Sequence, residues 1–238
     1  MILCPISRLQ LLNFLPKGGE GAEIGVARGE FSKAILDTVK PRKLHLIDPW
    51  EHQTREDYDT DGNNVEDAEQ ESRYRGVIAQ FAEAIDDDRV ILHRRYSQDA
   101  ATFFHDGQLD WVYIDGLHSY QGVRSDLALY QSKVKVEGLI MGHDYTNHER
   151  AQAMKFGVVD AVNEFVGSQG LSFVALTQEA FPTYVLARDA DAPAARHLIA
   201  HLLYHVPGVV ELRDFPAICT FQHKILEIGG QVRILPSF

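Results

Sequence analysis

The sequence predicts an α/β fold: a mostly parallel, seven-stranded sheet with helices on both faces and an antiparallel closing strand. Three observations carry this. From residue 21 to residue 166, short apolar runs bounded by Gly, Pro or Asp alternate with stretches of helical period, the pattern of strands joined by crossover helices. The run Trp111 to Ile114 is apolar at every position, as a strand covered on both faces requires. At 238 residues, 45% apolar and 24% charged, the chain has ordinary globular composition and can bury a sizeable core.

MILCPISRLQLLNFLP opens the chain without a basic leader or a small-residue cleavage site. Residues 1–18 therefore read as a short amphipathic helix rather than a signal peptide. GAEIGV (21–26) is a first strand bounded by glycines, and GEFSKAILDTV (29–39) is a helix with Phe31, Ile35 and Val39 on one face. KLHLIDP (43–49) is a second strand ending at Asp48. A helix through ESRYRGVIAQFAEAI (71–85) leads to a third strand, RVILHRR (89–95). SQDAATFF (97–104) reads as a helix capped by Ser97. LDWVYID (109–115) is the fourth strand, and SYQGVRSDLALYQSKV (119–134) is a helix with Val123, Leu127 and Tyr130 toward the core. GLIMGHDY (138–145) is the fifth strand, VVDAVNEFV (158–166) a helix, and LSFVALT (171–177) with TYVLAR (183–188) a closing pair. Residues 19–189 thus make the main domain. The extension 190–238 holds an amphipathic helix, ARHLIAHLLYHV (195–206), and packs on the core or on a partner in a homodimer.

The net charge of −11 is concentrated, because residues 51–71 hold nine acids against one base, Arg55. This balance argues against a nucleic-acid partner, which needs clustered Lys and Arg. The segment reads as a solvated acidic loop; a flap over a cationic or polyhydroxylated ligand is the alternative. Cys4 and Cys219 form neither a disulfide scaffold nor a metal pattern, which fits a reducing cytoplasm. No apolar run approaches the roughly 18 residues of a membrane span.

In parallel sheets ligands sit outside the carboxyl ends of the strands. EIGVARGEFS (23–32) places Gly25 and Gly29 at such an end, where glycine lets backbone close on a ligand. The spacing is GxxxG rather than the dinucleotide GxGxxG, which disfavours a nicotinamide dehydrogenase. Glu23 lies inside a strand, where an unpaired carboxylate is costly. Asp48 can accept both hydroxyls of a ribose, or it can cap a loop. DWVYIDGLHSY (110–120) brings His118 within three residues of Asp115. A neutral imidazole there can take the proton of an attacking hydroxyl; a solvated loop histidine is the plain alternative. Asp115, His143 and Asp144, at adjacent strand ends, form a candidate divalent-metal set, with a metal-free site preferred. His148 reads as a surface-loop residue, and Trp50 and Tyr58 as packing or as cover for the site.

Together EIGVARGEFS, LIDPW (46–50) and DWVYIDGLHSYQGVRSDLALYQSKVKVEGLIMGHDY (110–145) resemble class I S-adenosylmethionine-dependent methyltransferases. The resemblance spans residues 19 to 188. Its most specific part, the DGLHSY strand end, is similar to small-molecule O-methyltransferases of sugars and natural products, some of which use a divalent metal. The resemblance implies a Rossmann-like sheet, S-adenosylmethionine as cofactor and a small-molecule acceptor. Glu23, Gly25 and Gly29 would line the cofactor, Asp48 would hold its ribose, and Tyr96 and Ser97 would lie near its adenine. Asp115 would face its methionine end, and His118 would be the base for O-methylation. Where some metal-using relatives carry consecutive acids, this chain has His143-Asp144. Two other functions stay open: a metal-dependent hydrolase built on Asp115, His118, His143 and Asp144, and a non-catalytic nucleoside-binding module.

Overall fold

The computed structural model describes residues 1–238. Its strands are β1 (Ile2–Cys4), β2 (Glu20–Ile24), β3 (Lys43–Asp48), β4 (Val90–Arg94), β5 (Leu109–Ile114), β6 (Val134–Gly142), β7 (Ser172–Thr177), β8 (Tyr184–Ala187), β9 (Val210–Glu211), β10 (Gln222–Ile228) and β11 (Gln231–Ser237). Its helices are α1 (Arg8–Leu11), α2 (Glu30–Thr38), α3 (Asp67–Gln80), α4 (Ala82–Asp86), α5 (Ser97–Ala100), α6 (Tyr120–Gln131), α7 (Glu149–Ala153), α8 (Val158–Gln169) and α9 (Pro193–His205). Nine strands form one sheet in the order β4-β3-β2-β5-β6-β8-β7-β1-β9. The block β4-β3-β2-β5-β6 is parallel throughout, and β8 runs antiparallel to both its neighbours. This is the expected Rossmann-like α/β sheet, with all seven expected strands and two more at one edge.

One extra strand corrects the reading of residues 1–18 as a helix. Ile2 and Cys4 are buried, and β1 pairs with β7 in the register Ile2↔Ala175 and Cys4↔Thr177. Pro5 disfavours helical backbone at Cys4, so helix begins only at α1, behind a Ser7 capping box. The helix expected over 71–85 is broken at Phe81, which ends α3 and precedes α4. Ser97 is not a cap: Tyr96 holds the N-cap position of α5, and the Ser97 hydroxyl is used elsewhere.

Two apolar layers of nearly equal size sandwich the sheet. Trp111, Tyr113, Leu139 and Met141 face a layer with Phe31 and Ile35 of α2 and with Leu198 and Leu202 of α9. Val112, Ile114 and Ile140 face the other, with Val123, Leu127 and Tyr130 of α6 and Val162 of α8. Successive strand residues point to opposite faces, so a strand buried on both sides must be apolar throughout. Helix α9 thus packs on the core rather than standing apart. The parallel strands all deliver their carboxyl ends to one edge, where Asp48 ends β3 and Gly25, Asp115 and His143 follow β2, β5 and β6.

Candidate functional site

Close approach between two strand ends shapes the site. After β2 the chain turns at Gly25 with φ +87, and a Cβ there would lie 1.9 Å from the Asp115 carbonyl oxygen. Asp115 N–H donates to the Ile24 carbonyl at 2.7 Å, which locks the β2 and β5 ends together. Gly29 has a different duty. It lies outside the cavity at the start of α2, with φ +79 and a Cβ position 3.1 Å from the Phe81 ring.

Asp48 organises the glycine turn. Its Oδ2 accepts from Val26 N–H at 2.9 Å and Ala27 N–H at 3.0 Å, and its Oδ1 accepts from Trp50 N–H at 2.7 Å. Burial raises its pKa, and these three hydrogen bonds offset part of the rise. Three of the roughly four acceptor sites of the carboxylate are thus filled, which leaves one on Oδ1. Trp50 is packing: its indole N–H donates to the Ala27 carbonyl at 2.9 Å and its ring meets Tyr74.

A cavity of about 600 Å³ opens at these strand ends, within the size range of small-molecule sites. Glu23, Gly25, Asp48, Tyr96, Ser97, Asp115, His118, His143 and Asp144 all line it. Glu23 is 1% exposed, its Oε2 has no hydrogen-bond partner, and burial pushes its pKa up to about 8. Burial thus favours its neutral acid form, and Oε2 is left for one more partner.

At the mouth, His118 is held from both sides. Its Nδ1 lies 3.0 Å from Asp144 Oδ2 and its Nε2 3.5 Å from Asp61 Oδ2. His143 Nδ1 sits 3.2 Å from Asp144 Oδ1 and 3.7 Å from Asp115 Oδ1, while Arg8 Nη1 donates to Asp115 Oδ2 at 2.8 Å. Burial raises Asp115. For Asp144 burial pulls the same way, but His118 and His143 outweigh it and hold the carboxyl low. The two carboxylates likewise overcome burial at His143 and raise it. Asp144 has φ +59, a conformation that costs a non-glycine residue roughly 1 kcal/mol or more. The ligand-type atoms of Asp115, His118 and Asp144 lie within 4.8 Å of one another. His118, not His143, completes that set.

The acidic segment is not a free solvated loop. Gln53, Arg55, Tyr58 and Asn63 line the cavity. Asp57 accepts from Ser119 Oγ at 2.7 Å, and Lys155 Nζ reaches Asp59 at 3.2 Å. His148 also departs from expectation. It is 2% exposed and N-caps α7, with Nδ1 accepting from Ala151 N–H at 3.1 Å, and it lies outside the cavity.

Arg8, Asp61 and Asp126 join the site without having been singled out in the sequence. Asp126 lines the cavity from α6 and accepts from Ser97 Oγ at 2.5 Å. Burial pushes its pKa up to about 6, with the Ser97 hydrogen bond opposing. A signal existed: Asp126 falls on the same helical face as Val123 and Tyr130, so its carboxylate had to be buried.

A family model described as a methyltransferase domain matches residues 22–145. No curated protein matches the chain in sequence. Among solved structures, a Corynebacterium glutamicum protein aligns at TM-score 0.50 and 15% identity, over 78% of this chain and 83% of its own. A B. subtilis tRNA methyltransferase aligns at TM-score 0.51 and 13% identity, over 79% and 69%. An O-methyltransferase family protein from Burkholderia thailandensis aligns at TM-score 0.51 and 12% identity, over 76% and 53%. At such identities these likenesses speak to the fold. No helix is long and apolar enough to cross a membrane.

Proposed function

The chain belongs to the methyltransferase-domain family and is an S-adenosylmethionine-dependent methyltransferase; from that premise we infer that it methylates an oxygen of a small molecule, with His118 as general base. The observation that carries this reading is the Asp144–His118 contact of 3.0 Å at the mouth of the cavity. With Nδ1 resting on Asp144, His118 would take the proton of a hydroxyl at Nε2 once that hydroxyl displaces Asp61 Oδ2, which lies 3.5 Å from the same nitrogen.

The residues suit the cofactor. The unpartnered Oε2 of Glu23 can accept from its ammonium, the Gly25 turn leaves no side chain in the way, and Asp48 keeps one acceptor position, on Oδ1, for a ribose hydroxyl. Tyr96, Ser97 and Asp126 line the same cavity and would border the adenine. When bound, the cofactor supplies a sulfonium methyl open to in-line displacement. Asp115, fixed by Arg8, would orient the methionine end, and Asp144 would stabilise His118 once it holds the proton. Holding both reactants in line is worth more than any single group.

Two carboxylates and an imidazole also fit a divalent ion. Asp115, His118 and Asp144 would hold it, and it would lower the pKa of an acceptor hydroxyl bound there. His118 would then be a ligand rather than a base, which makes activity after EDTA treatment the deciding observation.

Release of S-adenosylhomocysteine, followed over a panel of hydroxylated small molecules, tests the reading. His118→Ala should bind S-adenosylhomocysteine like the wild type while losing roughly 10²- to 10⁴-fold in turnover. Undiminished turnover by that variant removes His118 from the mechanism.

A further inference from the structure

Outside the cavity, α9 carries His197, His201 and His205 at intervals of four residues, so the three side chains share one stripe. Ring centroids are 4.1 Å apart for His197 and His201, and 5.6 Å for His201 and His205. His201 Nδ1 lies 2.8 Å from the His197 carbonyl oxygen. A carbonyl only accepts, so Nδ1 donates, and Nε2 is the nitrogen left to meet an ion. Metal-bound imidazoles are held in this way, the other ring N–H resting on a backbone carbonyl or carboxylate. His205 differs, since its ring stacks on Phe14 with the planes 5° apart. The opposite face of the helix, Ala195, Leu198 and Leu202, is buried in the core, which leaves the histidine stripe to solvent on a rigid support.

We propose that His197 and His201 form a bidentate site for a borderline transition-metal dication, of the class Cu²⁺, Ni²⁺ or Zn²⁺. Neutral imidazoles suit these ions, whereas Mg²⁺ and Ca²⁺ require oxygen donors. Two histidines at i and i+4 on one helix face are the spacing that lets a single ion meet both. Lys17 is the neighbouring cation, and it is tied off, its Nζ donating to the Leu12 carbonyl at 2.9 Å and the Asn13 carbonyl at 3.1 Å. The net charge of −11 draws cations toward the molecule. Water completes the coordination shell. The site is independent of methyl transfer and of the cluster at Asp115.

Calorimetric titration of Cu²⁺ at neutral pH into the full chain tests this. The wild type should show a class of one ion with micromolar affinity. That class should weaken about tenfold or more, a loss of about 1.4 kcal/mol, in both His197→Ala and His201→Ala. It should persist in His205→Ala. Binding at Asp115, His118 and Asp144 would appear as a separate class untouched by the α9 substitutions. Unchanged S-adenosylhomocysteine affinity shows each variant to be folded. Electron paramagnetic resonance of the cupric form should report two imidazole nitrogens. An isotherm for His201→Ala that superposes on the wild type overturns the proposal. So does loss of the class in His205→Ala with none in His197→Ala.

Discussion

Asp126 stores a stability cost that a single substitution should release. Its carboxyl is buried in the cavity wall beside Ser97, and burial pushes its pKa from 3.8 to about 6. The folded chain therefore holds this proton more tightly than the unfolded one. A raised pKa contributes stability that is fully present below pH 3.8 and lost as pH rises through 6. The interval corresponds to about 3 kcal/mol. Asp126→Asn removes the ionisation, keeps the shape and keeps an oxygen to accept from Ser97. Relative to wild type, the variant should thus gain about 3 kcal/mol between pH 4 and pH 7. The Ser97 hydrogen bond is already part of the net pKa of about 6, so it is not subtracted again. The expectation at pH 7 is a gain of about 3 kcal/mol, or a rise in melting temperature of roughly 6 to 12 °C for a chain of this size. Denaturant melts of both proteins from pH 4 to pH 7.5 measure it, and other carboxylates cancel in the difference. A difference between variant and wild type that stays flat across that range refutes the reasoning.

Further outcomes follow from other parts of the structure. Gly25→Ala forces a side chain to within 1.9 Å of the Asp115 carbonyl at a left-handed φ; it should lose S-adenosylhomocysteine binding and at least about 1 to 2 kcal/mol of stability from strain. Leu127→Ala empties a fully buried position between sheet and α6 and should cost about 2 to 5 kcal/mol in a denaturant melt. His93 is held at about 4, chiefly by burial and then by His45. Its stabilising contribution is present above 6.5 and falls away as pH drops toward 4, so His93→Phe should flatten the acid limb of the stability profile. Ser119→Ala loses both the α6 cap and the bond to Asp57; it should cost about 1 kcal/mol and raise the protease sensitivity of residues 51–66.

Much of the molecule was legible because its signals are local. Period and bounding residues located all seven core strands. Asp115, His118, His143 and Asp144 were readable as strand-end groups because a parallel sheet sends its carboxyl ends to one edge. The edge strand β1 was hidden: three apolar residues before a proline carry no period, and only the partner β7 makes them a strand. The tail carries a local signal too: Leu226 to Ile228 and Gln231 to Ile234 alternate on either side of Gly229-Gly230, both with positive φ, a hairpin pattern. Arg8 reaches Asp115 across 107 positions, and Asp61 meets His118 only through the fold of the acidic segment. No local pattern encodes either contact. Gly29 lies outside the cavity lining, and its left-handed φ at a helix start beside Phe81 is a second local reason for a glycine there.

The most direct test of the central claim is calorimetric titration of S-adenosylhomocysteine into the wild type and into Asp48→Ala, each first shown to melt cooperatively. The account predicts micromolar binding to the wild type, weakened about tenfold or more in the variant, a loss of at least about 1.4 kcal/mol. It is contradicted if the wild type binds no S-adenosylhomocysteine, or if a folded Asp48→Ala binds it with undiminished affinity.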